Sequence, residues 1–141
     1  MKQFQKIQLR TFVNRGFNLT PVELRDLVPF NVKRVYYFDD LKPGAQTGEH
    51  CHYQEEEFFI VAKGTVTAII DKGKGKEDIV LSGPSHALYV PNYVWHGFKE
   101  ASADCLVIAL SSTQYNPDRS DYLEDYEAYV KIRDQFLFPV I

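Results

Sequence analysis

Short runs of β-branched, aromatic and aliphatic residues recur along the chain with turn-forming residues between them. The runs span residues 6–13, 32–38, 57–61, 65–70, 78–81, 87–90, 95–98 and 105–111. Such spacing predicts an antiparallel all-β architecture, a sandwich or barrel. Within 65–70 the set Val66, Ala68, Ile70 is scarcely more apolar than Thr65, Thr67, Ile69, so this strand is expected to be buried on both faces. Residues 71–76, with Gly73 and Gly75, predict a hairpin turn. After Gln114 the period changes: Tyr122, Tyr126, Tyr129 and Val130 recur at three- and four-residue spacing. They predict a short C-terminal helix with Ser120 or Asp121 as N-cap and the tyrosines as its packing face. The apolar end, residues 136–141, is expected to need cover, which a partner subunit would supply.

With 141 residues, 45% hydrophobic and 25% charged, the chain fits one globular domain over 1–141 with a real core. A net charge of −3 and no basic block leave no footprint for nucleic acid. Lys72, Lys74 and Lys76 are spaced by glycines and followed by acidic residues, a solvated turn. No stretch reaches the apolar run of about 7–15 residues that a signal peptide needs, or the roughly 18 of a membrane span. The expectation is a cytoplasmic protein without membrane contact. Cys51 and Cys105, the only cysteines, make no disulfide framework.

Candidate chemistry centres on His50, His52, Glu57 and His96. Alternate residues of a strand share a face, so His50 and His52 point together while Cys51 points away as a packing residue. Gly44, five residues, His50-Cys51-His52, four residues, Glu57, six residues and Gly64 form one ordered string; Gly83, Pro91 and His96 form a second. The paired strings resemble those of the cupin superfamily, whose small β-barrels (jelly rolls) set three histidines and a glutamate around an internal site. The second string is looser, with Asn92-Tyr93 at the usual small-residue turn and Glu100 where asparagine is common. His86 follows Gly83-Pro84 and reads as a surface turn residue. Trp95 reads as core.

A closer resemblance begins at Pro29. Residues 29–38, with Lys33-Arg34-Val35-Tyr36-Tyr37, then Val94-Trp95-His96, Asp104-Cys105 and the acidic, tyrosine-rich segment from Tyr122 to Tyr129 are similar to the dTDP-4-keto-6-deoxyglucose 3,4-ketoisomerase family. That family carries Arg-Arg-Gly before its first histidine and Lys after its second; this chain has Gln46-Thr47-Gly48 and Tyr53. Glu57 stands where the ketoisomerases carry glutamine.

The resemblance implies movement of a keto group between neighbouring sugar carbons. That needs a base of near-neutral pKa: His52 as proton shuttle, with His50 fixing its tautomer or the oxyanion. Tyr36, or Tyr37 on the opposite parity, would donate to the enediolate. Arg34 and Lys33 would meet the diphosphate of a nucleotide-linked sugar, and Tyr93 the pocket mouth. A homodimer is implied as well. The same His50, His52, Glu57 and His96 suit a divalent transition metal, which would support isomerase, epimerase or oxygen chemistry. Loss of the basic pair also leaves open a non-catalytic sugar-binding protein.

Overall fold

The computed structural model describes residues 2–137. Its elements are mostly short strands that pair antiparallel throughout. One sheet orders β1 (Gln5–Gln8), β9 (His86–Val90), β6 (Glu57–Lys63), β11 (Leu106–Ser111) and β4 (Arg34–Asp39). The other orders β10 (Trp95–Lys99), β7 (Thr65–Asp71) and β8 (Glu77–Ser82). Residues 46–52 extend this second sheet along the edge of β10, through bridges at Gln46–Lys99 and His50–His96. They end in β5 (Cys51–His52), which pairs with β12 (Tyr122–Leu123).

The main core lies between the sheets. Phe59, Val61, Leu88, Val107 and Ala109 of the first meet Val66, Ala68, Ile70, Leu81 and Phe98 of the second. β7 is buried at every position after Thr65, because its outer face is also covered. Gly64 carries the chain from one sheet to the other at φ +77, and a Cβ there would stand 2.7 Å from Cys105 Cα; only glycine accepts both the backbone angle and the approach. A second cluster, Leu9, Val28, Phe58, Ala87, Tyr89 and Leu110, seals the far face of the first sheet. A third, Cys51, Trp95 and Tyr129, seals the far face of the second under α2 (Tyr126–Leu137).

Several sequence-based expectations shift here. The strand expected over 6–13 divides into β1 and β2 (Phe12–Asn14), which forms its own hairpin with β3 (Phe17–Leu19). A single helical turn, α1 (Leu24–Leu27), was unexpected. The C-terminal helix starts at Tyr126, not near Ser120 or Asp121. Its cap is Asp125, whose Oδ1 accepts the Ala128 N–H at 3.2 Å. Asp121 and Tyr122 go instead to β5, so Tyr122 leaves the packing stripe that Tyr126, Tyr129 and Val130 keep. His86 opens β9 rather than sitting in a turn, and its Nδ1 accepts the Ser82 N–H at 2.9 Å. Of the apolar end, Phe136 stacks on Tyr93 with ring centroids 4.0 Å apart. Residues 138–141 lie outside the described residues.

The helix is anchored through Asp71, a fully buried carboxylate at the end of β7. It accepts from Tyr126 Oη and Arg133 Nη1, both at 2.7 Å, and from the Gly73 N–H at 2.7 Å.

Candidate active site

Strand register brings the site residues together. The backbones of His50 and His96 exchange both hydrogen bonds, at 3.1 and 2.9 Å, which sets these residues directly opposite each other. His52, two residues on, shares the face of His50; Cys51 turns into the cluster with Trp95 and Tyr129. Glu57 comes from β6 and Tyr36 from β4, two strands away. Between them β11 places Ala109 opposite Tyr36, and this small side chain lets the tyrosine hydroxyl reach Glu57 Oε1 at 2.5 Å.

Donor atoms of His50, His52, Glu57 and His96 all lie within 4.8 Å of one another. His50 Nδ1 lies 2.9 Å from the Gly48 carbonyl and His96 Nδ1 2.9 Å from that of Val94. A carbonyl only accepts, so each Nδ1 carries the proton and each Nε2 faces inward. His50 Nε2 meets His52 Nε2 at 3.0 Å, and His96 Nε2 meets Glu57 Oε2 at 2.9 Å.

His52 has further partners. Its Nε2 lies 2.8 Å from Glu55 Oε2; its Nδ1 is 3.3 Å from Asp121 Oδ2, close enough for an ionic contact when the ring is protonated but outside hydrogen-bond geometry. Glu55 is held in turn by Arg34 Nη2 at 2.6 Å, Thr113 Oγ1 at 2.9 Å and Ser111 Oγ. Asp121 accepts the backbone N–H groups of Gln54 and Glu55 at 2.7 and 3.0 Å.

These surroundings separate the two imidazoles of the pair. Burial, followed by the charges of His96 and His52, drives His50 down to about 2. For His52 burial acts in the same direction, but the Glu55 hydrogen bond and the charges of Glu57, Glu55 and Asp121 outweigh it and raise the pKa. Burial opposes ionisation of Glu55 as well; its bonds to His52, Ser111 and Thr113 prevail and hold it at about 2. Burial, then the neighbouring Glu57, pushes the Tyr36 hydroxyl far above its ordinary value. Tyr36 is thus a donor that keeps its proton.

The cluster opens to a cavity of about 580 Å³ whose wall includes Tyr36, His50, His96, Phe98, Arg119 and Tyr122. His52, 2% exposed, sits behind His50. A smaller cavity of about 280 Å³ adjoins it, with Arg119 and Tyr122 common to both. The Tyr122 ring lies 4.9 Å from that of His50 and 4.5 Å from that of His52.

Of the residues singled out from sequence, His50, His52, Glu57, His96 and Tyr36 converge. Four do not join them. Tyr37 is on the outer face of β4, 70% exposed, because strand alternation gives the inward position to Tyr36. Lys33 is exposed and borders neither cavity. Arg34 lines only the smaller cavity, with its guanidinium paired to Glu55. Tyr93 faces away, stacked on Phe136. Glu55, Asp121, Tyr122 and Arg119 were missed. For Glu55 a signal existed, since it stands two residues before Glu57 in an extended run. Asp121 and Tyr122 were absorbed by the helical reading.

Two packed antiparallel sheets with an internal three-histidine, one-glutamate site define a cupin-like protein. Residues 2–134 match the family described as WxcM-like, C-terminal (FdtA), and the chain belongs to that family. It is 32% identical over 125 residues, 89% of this chain and 88% of the relative, to a TDP-4-oxo-6-deoxy-alpha-D-glucose-3,4-oxoisomerase of Aneurinibacillus thermoaerophilus. Among solved structures, a double mutant of the 3,4-ketoisomerase QdtA of Thermoanaerobacterium thermosaccharolyticum, in complex with TDP, superposes with a TM-score of 0.86. It is 26% identical, with 96% of each chain covered. The TDP-quinovose 3,4-ketoisomerase WlaRB of Campylobacter jejuni gives 0.82 at 29% identity, covering 93% of this chain and 99% of that one. Among the described residues no helix is long and apolar enough to cross a membrane.

Proposed function

We propose that the chain is a nucleotide-sugar 3,4-ketoisomerase acting on a TDP-4-keto-6-deoxyhexose. The observation that carries this reading is the hydrogen-bonded His50–His52 pair at the cavity, beside a tyrosine hydroxyl that retains its proton. The reaction removes the C3 hydrogen as a proton and forms a C3–C4 double bond while O4 takes up charge. It then moves a proton from O3 to O4 and returns one to C4 as the C3 carbonyl forms. His50 offers its Nε2 at the cavity wall. His52 hands its Nε2 proton to Glu55 Oε2, 2.8 Å away, as it takes the proton from His50 at the same nitrogen, and the reverse steps give it up again, so that the pair is one carrier serving adjacent carbons. Glu55 and Asp121 hold His52 in place. Tyr36 gives its one O–H to Glu57 at rest and turns it to O4 as charge develops there.

The metal reading rests on the same donors. Their mutual spacing suits a divalent transition metal, and an Nδ1–H tethered to a carbonyl, as at His50 and His96, is the usual outer arrangement of a metal-bound imidazole. Where a metal is held, His50, His52, Glu57 and His96 would hold it, and it would polarise the sugar carbonyl. The proton-holding and orienting work of Tyr36, Glu55 and Asp121 is the same on either reading.

The test is incubation of the purified chain with TDP-4-keto-6-deoxyglucose, following the product by NMR, with metal content measured on the same sample. Formation of the 3-keto isomer is expected. Tyr36→Phe should retain the fold and lower kcat by roughly 10²-fold, as removal of one oxyanion donor does; a variant as fast as the parent would remove Tyr36 from the mechanism. No turnover and no C3 exchange by the parent would leave a sugar-binding protein.

The assembly belongs to the same reading: one domain, a barrel formed by the two sheets, and a homodimer. Phe12, Val13, Phe17 and Leu19 of the β2–β3 hairpin are 41–82% exposed, and a second copy would cover them. Sedimentation should give twice the 16.3 kDa chain mass; a monomer at micromolar concentration would refute the pairing.

A further inference from the structure

A diphosphate needs a cation, and Lys33 and Arg34, expected to supply one, do not line the histidine cavity. Gln46, Thr47, Gly48 and Tyr53 carry no charge, Lys33 borders neither cavity, and Arg34 is bound to Glu55. Among the described residues one arginine and no lysine lines the histidine cavity: Arg119. It also lines the adjoining cavity, so a ligand passing from one to the other passes its guanidinium. That group lies 4.0 Å from the centroid of the Tyr122 ring, and the same ring has His50 and His52 as neighbours at 4.9 and 4.5 Å. Arg119 therefore stands one ring from the proton-carrying pair, on the wall shared by the two cavities.

Its backbone is fixed. Arg119 has φ 55, a left-handed conformation that a long side chain adopts only where the surroundings enforce it. Here the Arg119 N–H donates to the Asn116 carbonyl and the Tyr122 N–H to that of Arg119, both at 3.1 Å. Asp118 Oδ1 accepts the Ser120 N–H at 2.8 Å. The carboxylate partner of Arg119 is Glu124, and the two side chains are 47% and 54% exposed. An exposed pair of this kind is weak. A diphosphate, taken bidentately by the same guanidinium, makes the stronger charge-assisted contact.

We propose that Arg119 recognises the diphosphate of the substrate, and that Glu124 is the built-in anion that the diphosphate displaces. The inference rests on the ketoisomerase reading and adds a specificity device to it. A free sugar cannot displace Glu124; a nucleotide sugar can.

The experiment uses the full chain, with TDP binding followed by calorimetry and kinetics on TDP-4-keto-6-deoxyglucose. Arg119→Gln should raise Kd for TDP and KM for the sugar by about tenfold or more, far beyond any fall in kcat, and Arg119→Lys should recover part of the loss. Glu124→Gln should lower both constants by roughly two- to fivefold, an improvement that damage to the loop would not produce. Circular dichroism checks that each variant is folded. A parent that turns the sugar over while Arg119→Gln keeps its Kd and KM, or while Glu124→Gln weakens binding, overturns the assignment and leaves the ketoisomerase reading standing. A parent that neither binds TDP nor turns over the sugar overturns both.

Discussion

Replacing His52 with asparagine should lower turnover by roughly 10²–10⁴-fold, the usual consequence of removing a general base, while TDP binding changes little. The separation is expected because His52 lies behind His50 rather than on the cavity wall. An asparagine amide can still hydrogen bond to Glu55, so the packing loss is small, but it offers no site where a proton lifted from C3 is stable. The readout is the exchange of the C3 hydrogen with deuterium from solvent, which reports abstraction even when the product does not accumulate. Exchange at the parent rate would assign the carrier role to His50 alone. Metal content supplies a second readout. If the four donors hold an ion, the variant loses metal and activity together, and a chelator inhibits the parent. If they do not, chelation leaves the parent unchanged.

Asp71→Ala should be the most destabilising single change considered, at about 3–5 kcal/mol, the range for removing one partner of a buried ion pair. Arg133 keeps only the exposed Asp134 carboxylate at 3.4 Å, the Tyr126 hydroxyl loses its acceptor, and the Gly73 and Gly75 amides lose theirs. Thermal unfolding should show a large fall in melting temperature. A fall no larger than that of a surface substitution would show that α2 is held by its apolar face alone. Burial works against ionisation of Asp71, but the bonds from Tyr126 and Gly73 and the charge of Arg133 lower its pKa from 3.8. Its stabilisation is therefore complete above pH 3.8 and is lost as pH falls through the lower folded value. Asp71→Asn, which keeps an acceptor oxygen and loses the charge, should fall between parent and Ala.

The strands most legible in the sequence are those whose pattern is enforced by a large buried sheet: 65–71, 86–90 and 106–111. β5 and β12 contain two residues each, too few for any period to register. The helical start failed for a physical reason. Tyr122 has the right spacing for the stripe, yet the backbone amides of Gln54 and Glu55 find their acceptor in Asp121, and that tertiary demand holds 122–123 as a strand against β5. The histidines and Glu57 were legible because alternation along one strand and fixed spacing determine their convergence. Tyr36 was fixed only to within strand parity. The residues surrounding the cluster were not legible, since Glu55, Asp121 and Arg119 acquire meaning only after three distant segments meet.

The pairing of β12 with β5 has a consequence for the chain during its synthesis. Every member of the histidine–glutamate cluster has left the ribosome once residue 96 has emerged, but Asp121 and Tyr122, which hold His52 from the side and cover it, follow only later. In the folded chain it is β12 that pairs the edge of β5 and Asp121 that closes the turn after it. The order of synthesis thus supplies the reactive groups before their enclosure, and β12, the last strand among the described residues, completes the site.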